Sequence, residues 1–472
     1  MLRCGRVFRA KWINRVPRSF KHPCFSLCVS SLSSVDCDDS YLRARPRSDL
    51  YDLCFGQLYC STQSCFDFGV LAEARSRVIH VLERAGIQRS VLWSQGDVYV
   101  HADIFTSPGL PYTERGFSEK GAAMLEYWDE LEWFWFEGYR YVTPVFTGSM
   151  KEEIRRREKV DKGLYRLFCA GSLVDYVFTM RLFGSFMVAL TRANLLVRMW
   201  PGATHFHGGW EYLVSHLPFD TVFASDCTKF DMTQSYEVLV SCVLPIFRHF
   251  APQGCEDRVN ACLHDLVCVL IAHQDGSLVY VDKNNKSGGA MTIFVNMFLQ
   301  MVMIEYAAVM EGWDLDVGWY CVCGDDNIVS TRTSYCSPFK FFPDFGIVPK
   351  YELITDRSSF EFLSHTTIKY CGRYLTRVDV EKFLCGLAYN SDLDLGLYIQ
   401  KLNSYIDEAA WSPGVWKLLY HRWFALTHKE AFTSSSESWS SAMSSWRSLS
   451  SSRRLHLFSD DLLEVESLPV DL

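Results

Sequence analysis

The chain has 472 residues, enough to bury a large core and to divide into two to four lobes. A content of 49% hydrophobic and 15% aromatic residues excludes an intrinsically disordered protein. A net charge of -8 excludes a surface that is basic all round, yet it is compatible with a basic channel beside an acidic centre, because phosphates respond to the local field.

Residues 1 to 35 hold no Asp or Glu but carry Arg3, Arg6, Arg9, Lys11, Arg15, Arg18 and Lys21. An RNA-touching arm, a targeting segment, a precursor remnant and a plain extension are all compatible with that composition. Folded patterning begins near Leu50. The 18 cysteines are scattered without a CxxC pair, so reduced thiols in a cytosolic compartment are expected, not a disulfide framework.

Thr106-Ser107-Pro-Gly109-Leu-Pro111-Tyr112 has loop composition. Between Lys151 and Arg166 lie seven basic and four acidic residues. Taken alone, such a run is as well explained by a solvated face as by a phosphate-binding one. Val222-Phe-Ala-Ser-Asp226 reads as a short buried strand ending in a carboxylate, and Asp231 follows five residues later. Val267 to Asp282 reads as a hairpin turning at Asp275-Gly276.

Ser287-Gly288-Gly-Ala-Met-Thr292 leads into an apolar helix, and two glycines let backbone amides approach a phosphate or a chain closely. Thr292, Asn296 and Gln300 recur every four residues along it, with Glu305 beyond. This polar stripe predicts a buried helix facing a site, and no segment is read as a membrane span. Val317 to Cys323 and Asn327 to Ser330 are strand-like around Gly324-Asp325-Asp326, a hairpin signal. The hairpin is expected to carry Asp325 at its tip and to point Asp326 to the opposite side. If the Asp226 strand lies beside it, carboxylates converge as hard oxygen ligands suited to Mg²⁺. From about Thr433 the chain is Ser-rich and ends acidic, the composition of a disordered tail. Strands and helices alternate irregularly, so the expected class is α+β.

Taken in order, these segments resemble the viral RNA-directed RNA polymerases of the picornavirus and sobemovirus type. Asp226 and Asp231 resemble that family's motif A, and Ser287, Gly288, Thr292 and Asn296 its motif B. Gly324-Asp325-Asp326 resembles motif C, and Lys151 to Arg166 motif F. Thr106, Ser107, Gly109 and Pro111 resemble the template-guiding motif G, and Phe362-Leu-Ser-His365 the primer-grip motif E. The order G, F, A, B, C, E spans more than half the chain. Cys323 before the Gly, Leu164, and Lys286 before the Ser-Gly pair depart from the picornaviral pattern. Motif D aligns poorly, and Lys350 and Arg357 compete for its general acid.

The resemblance implies a right-hand polymerase with a palm on a small antiparallel sheet. Its parts would be a basic extension (1–50), fingers (51–217), a palm (218–375) with a fingers insertion near 245–286, a thumb (376–432) and the tail (433–472). It implies Asp226, Asp325 and Asp326 as ligands of Mg²⁺, with Mn²⁺ as the alternative, and Lys350 as general acid. Lys159 and Arg166 would hold the triphosphate, while Asp231, Ser287, Gly288, Thr292 and Asn296 would hold the nucleotide and read its ribose. Implied partners are an RNA template and product strand, ribonucleoside triphosphates, other viral replication proteins and, through them, host membranes in cytoplasmic replication complexes. A reverse transcriptase-like palm polymerase and a non-catalytic RNA-binding replication protein are the competing expectations.

Overall fold

The computed structural model describes residues 3–6, 20–21, 41–45, 47–59, 62–206, 208–227, 229–313, 318–331, 337–370, 372–390 and 395–409, with a few single residues up to 423. The Ser-rich segment from Thr433 and most of residues 1–40 lie outside these.

The centre of the molecule is a four-stranded sheet in the order Trp319–Cys323, Asp326–Ser330, Val222–Cys227, Pro349–Ile354, every pair antiparallel. Alternation along the strands gives each face its own core. Phe223, Cys227, Tyr320, Val322 and Val329 face one cluster, which also contains the inward sides of the helices Phe68–Arg84 and Thr292–Met310. Val222, Cys321, Ile328 and Ile354 face a second cluster, with Trp210, Phe360 and Phe362. Asp226 and Asp326 follow the alternation of Val222 and Ile328 and come at one end of that second face.

The Thr292–Met310 helix is buried almost all round, as its continuous apolar sequence requires. It and the Leu173–Val197 run are long and apolar enough to cross a membrane, and both are mostly buried inside this fold. Three polar side chains on the first helix each find a partner. Asn296 meets Asp231, Gln300 meets the Asp325 turn, and Glu305 accepts a 2.9 Å bond from the Tyr320 hydroxyl with Arg198 at 3.4 Å. Burial pushes the Glu305 carboxyl up to about 7, against the pull of Arg198.

The Phe68–Arg84 helix shows how local chemistry sets an element. Asp67 caps it by accepting from the amides of Gly69 at 2.7 Å and Val70 at 2.9 Å. Leu71, Ala74, Val78 and Leu82 recur at helical spacing on its buried side, and Gly86 ends it at φ 82°.

A five-stranded sheet runs in the order Arg3–Arg6, Ser277–Val281, Val269–Ala272, Val145–Met150, Leu167–Ala170. Its Val269–Ala272 and Ser277–Val281 pair is the hairpin expected at Asp275-Gly276. A three-stranded sheet joins Glu361–Phe362, His365–Tyr370 and Arg373–Val378. Its first turn places Leu363 and Ser364 at φ 54° and 61°, the geometry of a tight hairpin made here without glycine. Where residues 1–50 are described, Arg3–Arg6 pairs with Ser277–Val281, Phe20–Lys21 with Tyr389–Asn390 and Tyr41–Ala44 with Glu153–Arg156. The helices Val380–Ala388 and Leu395–Glu408 share a separate core around Leu384, Tyr398 and Leu402. The class is thus mixed helix and sheet with small sheets, as the irregular alternation predicts.

Candidate active site

Strand register gathers the carboxylates. Asp226 is the direct cross-strand partner of Asp326 on one side and of Lys350 on the other. Residues directly opposite in antiparallel strands project from the same face, so Asp326, Asp226 and Lys350 form one row across three strands. The neighbouring strand, not the hairpin alone, thus decides the side of Asp326 and sets it on the face of Asp226. Asp325 lies in the turn, and its charge acts on both. Burial first, and then the charge of Asp325, hold the Asp226 carboxyl above its usual range, while Lys159, Lys350 and Arg166 pull it down. Burial, then Asp325 and Asp226, push the Asp326 carboxyl up to about 7.

This is a chemical setting that a divalent cation fits. Three acidic groups repel one another on one patch, and a bound cation would offset that repulsion. Among the described residues no three ligand side chains close into a ready-made cage. Mg²⁺ does not require one, since it takes one or two carboxylates and completes its shell with water and substrate phosphate oxygens.

The turn that carries Asp325 is held from behind. Gln300 donates from Nε2 to the Asp325 carbonyl at 2.7 Å, and its Oε1 accepts from Asn327 Nδ2 at 2.8 Å. Asn327 also donates to the Ser225 hydroxyl at 2.7 Å, tying the turn to the Asp226 strand. The stripe Thr292, Asn296, Gln300 flags the helix face in the sequence, but Gln300's grip on the turn has no local signature.

Next to the row sits a second group. Asn296 Nδ2 donates to Asp231 Oδ1 at 2.6 Å. Burial raises the Asp231 carboxyl while the Asn296 bond lowers it, with Asp325 raising it and Arg166 and Lys151 lowering it further. Thr292 opens the same helix. Its Oγ1 donates to the carbonyls of Lys286 at 2.6 Å and Gly289 at 3.0 Å, so it braces the loop that precedes it. In that loop the Ser287 carbonyl accepts from the Cys169 amide at 2.9 Å. Gly288 lies at φ 124°, where an added Cβ would sit 2.7 Å from the Cys169 carbonyl oxygen. Both position the loop against the Leu167–Ala170 strand, and only glycine fits that approach.

Glu153 is the hub of the basic run. It lies within 3.6 Å of Lys151, 3.6 Å of Arg155 and 3.5 Å of Arg166. Lys159, on the Arg157–Asp161 helix, and Arg166 are exposed, and their fields reach Asp226. The Thr106 to Pro111 loop docks on the start of the Leu173–Ala193 helix, where Leu173 donates to the Pro108 carbonyl at 2.8 Å. Gly109, at φ 66°, approaches the Gly171 carbonyl so closely that a Cβ would lie 2.3 Å from its oxygen. Ser107 accepts from the Gly109 amide at 3.4 Å, and Thr106 donates to the Asp103 carbonyl at 2.8 Å. Arg357, the other general-acid candidate, is held by the Leu217 carbonyl at 2.8 Å and Asp220 at 3.2 Å, beyond the opposite end of the sheet from Asp226.

Comparison with known proteins gives a family and relatives. The profile described as viral RNA-dependent RNA polymerase matches residues 93–436. A genome polyprotein of Triticum mosaic virus is 26% identical over 360 residues, covering 72% of this chain and 11% of that protein. A genome polyprotein of Plum pox potyvirus, strain Rankovic, is 26% identical over 259 residues, covering 52% of this chain and 8% of that protein. One of Ryegrass mosaic virus is 26% identical over 281 residues, covering 56% and 9%. The chain thus spans about a tenth of the length of the curated relatives it matches.

Proposed function

We propose that this chain, which belongs to the viral RNA-dependent RNA polymerase family, copies an RNA template into RNA during viral genome replication. The observation that carries the reading is the row Asp326, Asp226, Lys350 across three adjacent strands, with the Asp231–Asn296 pair beside it.

We read the four-stranded sheet as the palm, within residues 218–375. The strands Val145–Met150, Leu167–Ala170, Val269–Ala272 and Ser277–Val281 of the five-stranded sheet belong to the fingers, within 51–217 and the insertion near 245–286, while its Arg3–Arg6 strand comes from the 1–50 extension; the 376–432 region with its own core is the thumb. Support for the insertion comes from the Val269–Ala272 and Ser277–Val281 strands, which join the sheet of Val145–Met150 and Leu167–Ala170.

In the proposed mechanism Asp226, Asp325 and Asp326 would hold Mg²⁺, or Mn²⁺ in its place. When bound, the cations lower the barrier by neutralising charge on the attacking and leaving oxygens. Lys159 and Arg166 bind the triphosphate on the side from which their fields reach Asp226; a guanidinium suits phosphate through its planar fork of donors. Lys350, beside Asp226, gives a proton to the departing pyrophosphate. Asp231 and Asn296 read the ribose 2′-hydroxyl, and Ser287, Gly288 and Thr292 shape the loop against which the nucleotide lies. The loop of Thr106, Ser107, Gly109 and Pro111 guides the template. The free cysteines among the described residues suit a reducing compartment, and we place the activity in host cytoplasmic replication complexes with other viral replication proteins.

The test is incorporation on an RNA template with ribonucleotides or deoxyribonucleotides supplied separately. A strong preference for ribonucleotides is expected, because a pocket built to hydrogen-bond a hydroxyl rejects analogues that lack it, by about 10⁴–10⁵ at best. A preference for deoxyribonucleotides would instead assign a reverse transcriptase. No incorporation of either kind by folded protein would assign a non-catalytic RNA-binding role.

A further inference from the structure

We infer that Gln234 and Asn285 form an amide clamp that sets which way Asn296 faces, and so are positioning residues for ribose selection; this rests on Asn296 and Asp231 reading the ribose. All three amides are buried: Gln234 is 0%, Asn285 1% and Asn296 5% exposed. Asn285 Nδ2 donates to Asn296 Oδ1 at 2.7 Å, and Gln234 Nε2 donates to the same oxygen at 2.8 Å.

An amide side chain can be turned over with almost no change of shape, so its orientation must be argued from chemistry. Here both ends of the network demand the same answer. Asn285 Nδ2 also lies 2.8 Å from the Thr292 carbonyl oxygen, which can only accept. The Asn285 atom there is therefore its NH₂, and the Asn296 atom facing it must be the oxygen. At the other end Asn296 meets the Asp231 carboxylate at 2.6 Å and must present its NH₂. Turning Asn296 over would set its NH₂ against two NH₂ groups and its oxygen against a carboxylate. Two donors use both lone pairs of Oδ1, and Asp231 takes one hydrogen of Nδ2. The second hydrogen of Nδ2 is the one a ribose hydroxyl would meet.

Asn285 and its neighbour also tie the pocket together through the backbone. The Asn285 amide donates to the Asp231 carbonyl at 2.9 Å, and the Asn284 amide to the Gln234 carbonyl at 2.8 Å. One residue, Asn285, thus touches the main chain of Asp231, the side chain of Asn296 and the carbonyl of Thr292. Gln234 keeps its orientation toward Asn296 even though its own Oε1 is buried without a partner among the described residues.

The experiment uses the full chain and measures the ratio of kcat/KM for a ribonucleotide to that for its deoxyribonucleotide. Asn285→Asp and Gln234→Glu are near-isosteric and replace a donor by an acceptor. Each is expected to lower the ratio by about tenfold or more, through loss on the ribonucleotide side. Asn296→Ala lowers it too, and adding Asn285→Asp on that background brings no further fall, since the clamp acts through Asn296. If either charged variant does not fold, Asn285→Ala and Gln234→Met remove the donor without adding a charge, and the same fall is expected. An unchanged ratio in the clamp variants beside a lowered one in Asn296→Ala overturns the clamp alone. An additive fall in the double variant overturns it as well. An unchanged ratio in Asn296→Ala removes the ribose reading itself, and the clamp with it.

Discussion

Asp325→Asn should abolish nucleotide incorporation without lowering the melting temperature. The substitution keeps volume but removes one of three mutually repelling charges. Asp325 raises the carboxyls of both Asp226 and Asp326, so its charge works against the fold where no cation is bound. Losing a ligand for the cations that neutralise the reacting oxygens should cost about 10³-fold or more in rate, about 4 kcal/mol. The two readouts pull apart only if the cluster exists for chemistry, because a structural carboxylate would lose stability when replaced. Rate assays and thermal melts on the same preparation check it. Near-normal incorporation by folded Asp325→Asn would remove this residue from the site.

Lys350→Leu should slow the single-turnover chemical step by about 10²–10⁴-fold, the usual contribution of a positioned acid, while nucleotide affinity changes far less. The motivation is register: Lys350 lies opposite Asp226, and its charge lowers that carboxyl. Lys350→Arg separates the two roles the lysine could play. It retains the positive charge, yet a guanidinium does not give up its proton near neutral pH. A slow Lys350→Arg means proton transfer, and a fast one means electrostatic support alone. An unchanged rate in Lys350→Leu would take the residue out of the mechanism. Arg357 is already engaged by Leu217 and Asp220, away from Asp226.

Local patterns in the sequence reach some of this site and stop short of the rest. The four-residue period of Thr292, Asn296 and Gln300 marks one face of a buried helix, and that face meets Asp231 and the Asp325 turn. Gly324-Asp325 between two apolar runs marks a hairpin, and the hairpin is there. Both signals are local, set by helical and turn geometry. Which face Asp326 takes is not local. It depends on register with a strand about a hundred positions earlier, and a slip of one residue would reverse it. The same holds for Lys350, whose place beside Asp226 comes from pairing, since the poor alignment of motif D leaves Lys350 and Arg357 as rivals. Gln234 and Asn285 carry no motif at all. They become visible only when 231–234 and 284–285 are laid side by side. The union of the Val269–Ala272 and Val145–Met150 strands, which are parallel and far apart in sequence, was equally beyond local patterning.

The most direct test of template-directed synthesis supplies the purified full chain with Mg²⁺, a short RNA template and one labelled ribonucleoside triphosphate at a time, with and without a primer. The template base to be copied is then changed. The nucleotide incorporated is expected to change with it, following base pairing, and Asp325→Asn is expected to incorporate none. Incorporation by folded protein that ignores the template base, or that survives in Asp325→Asn, would contradict it.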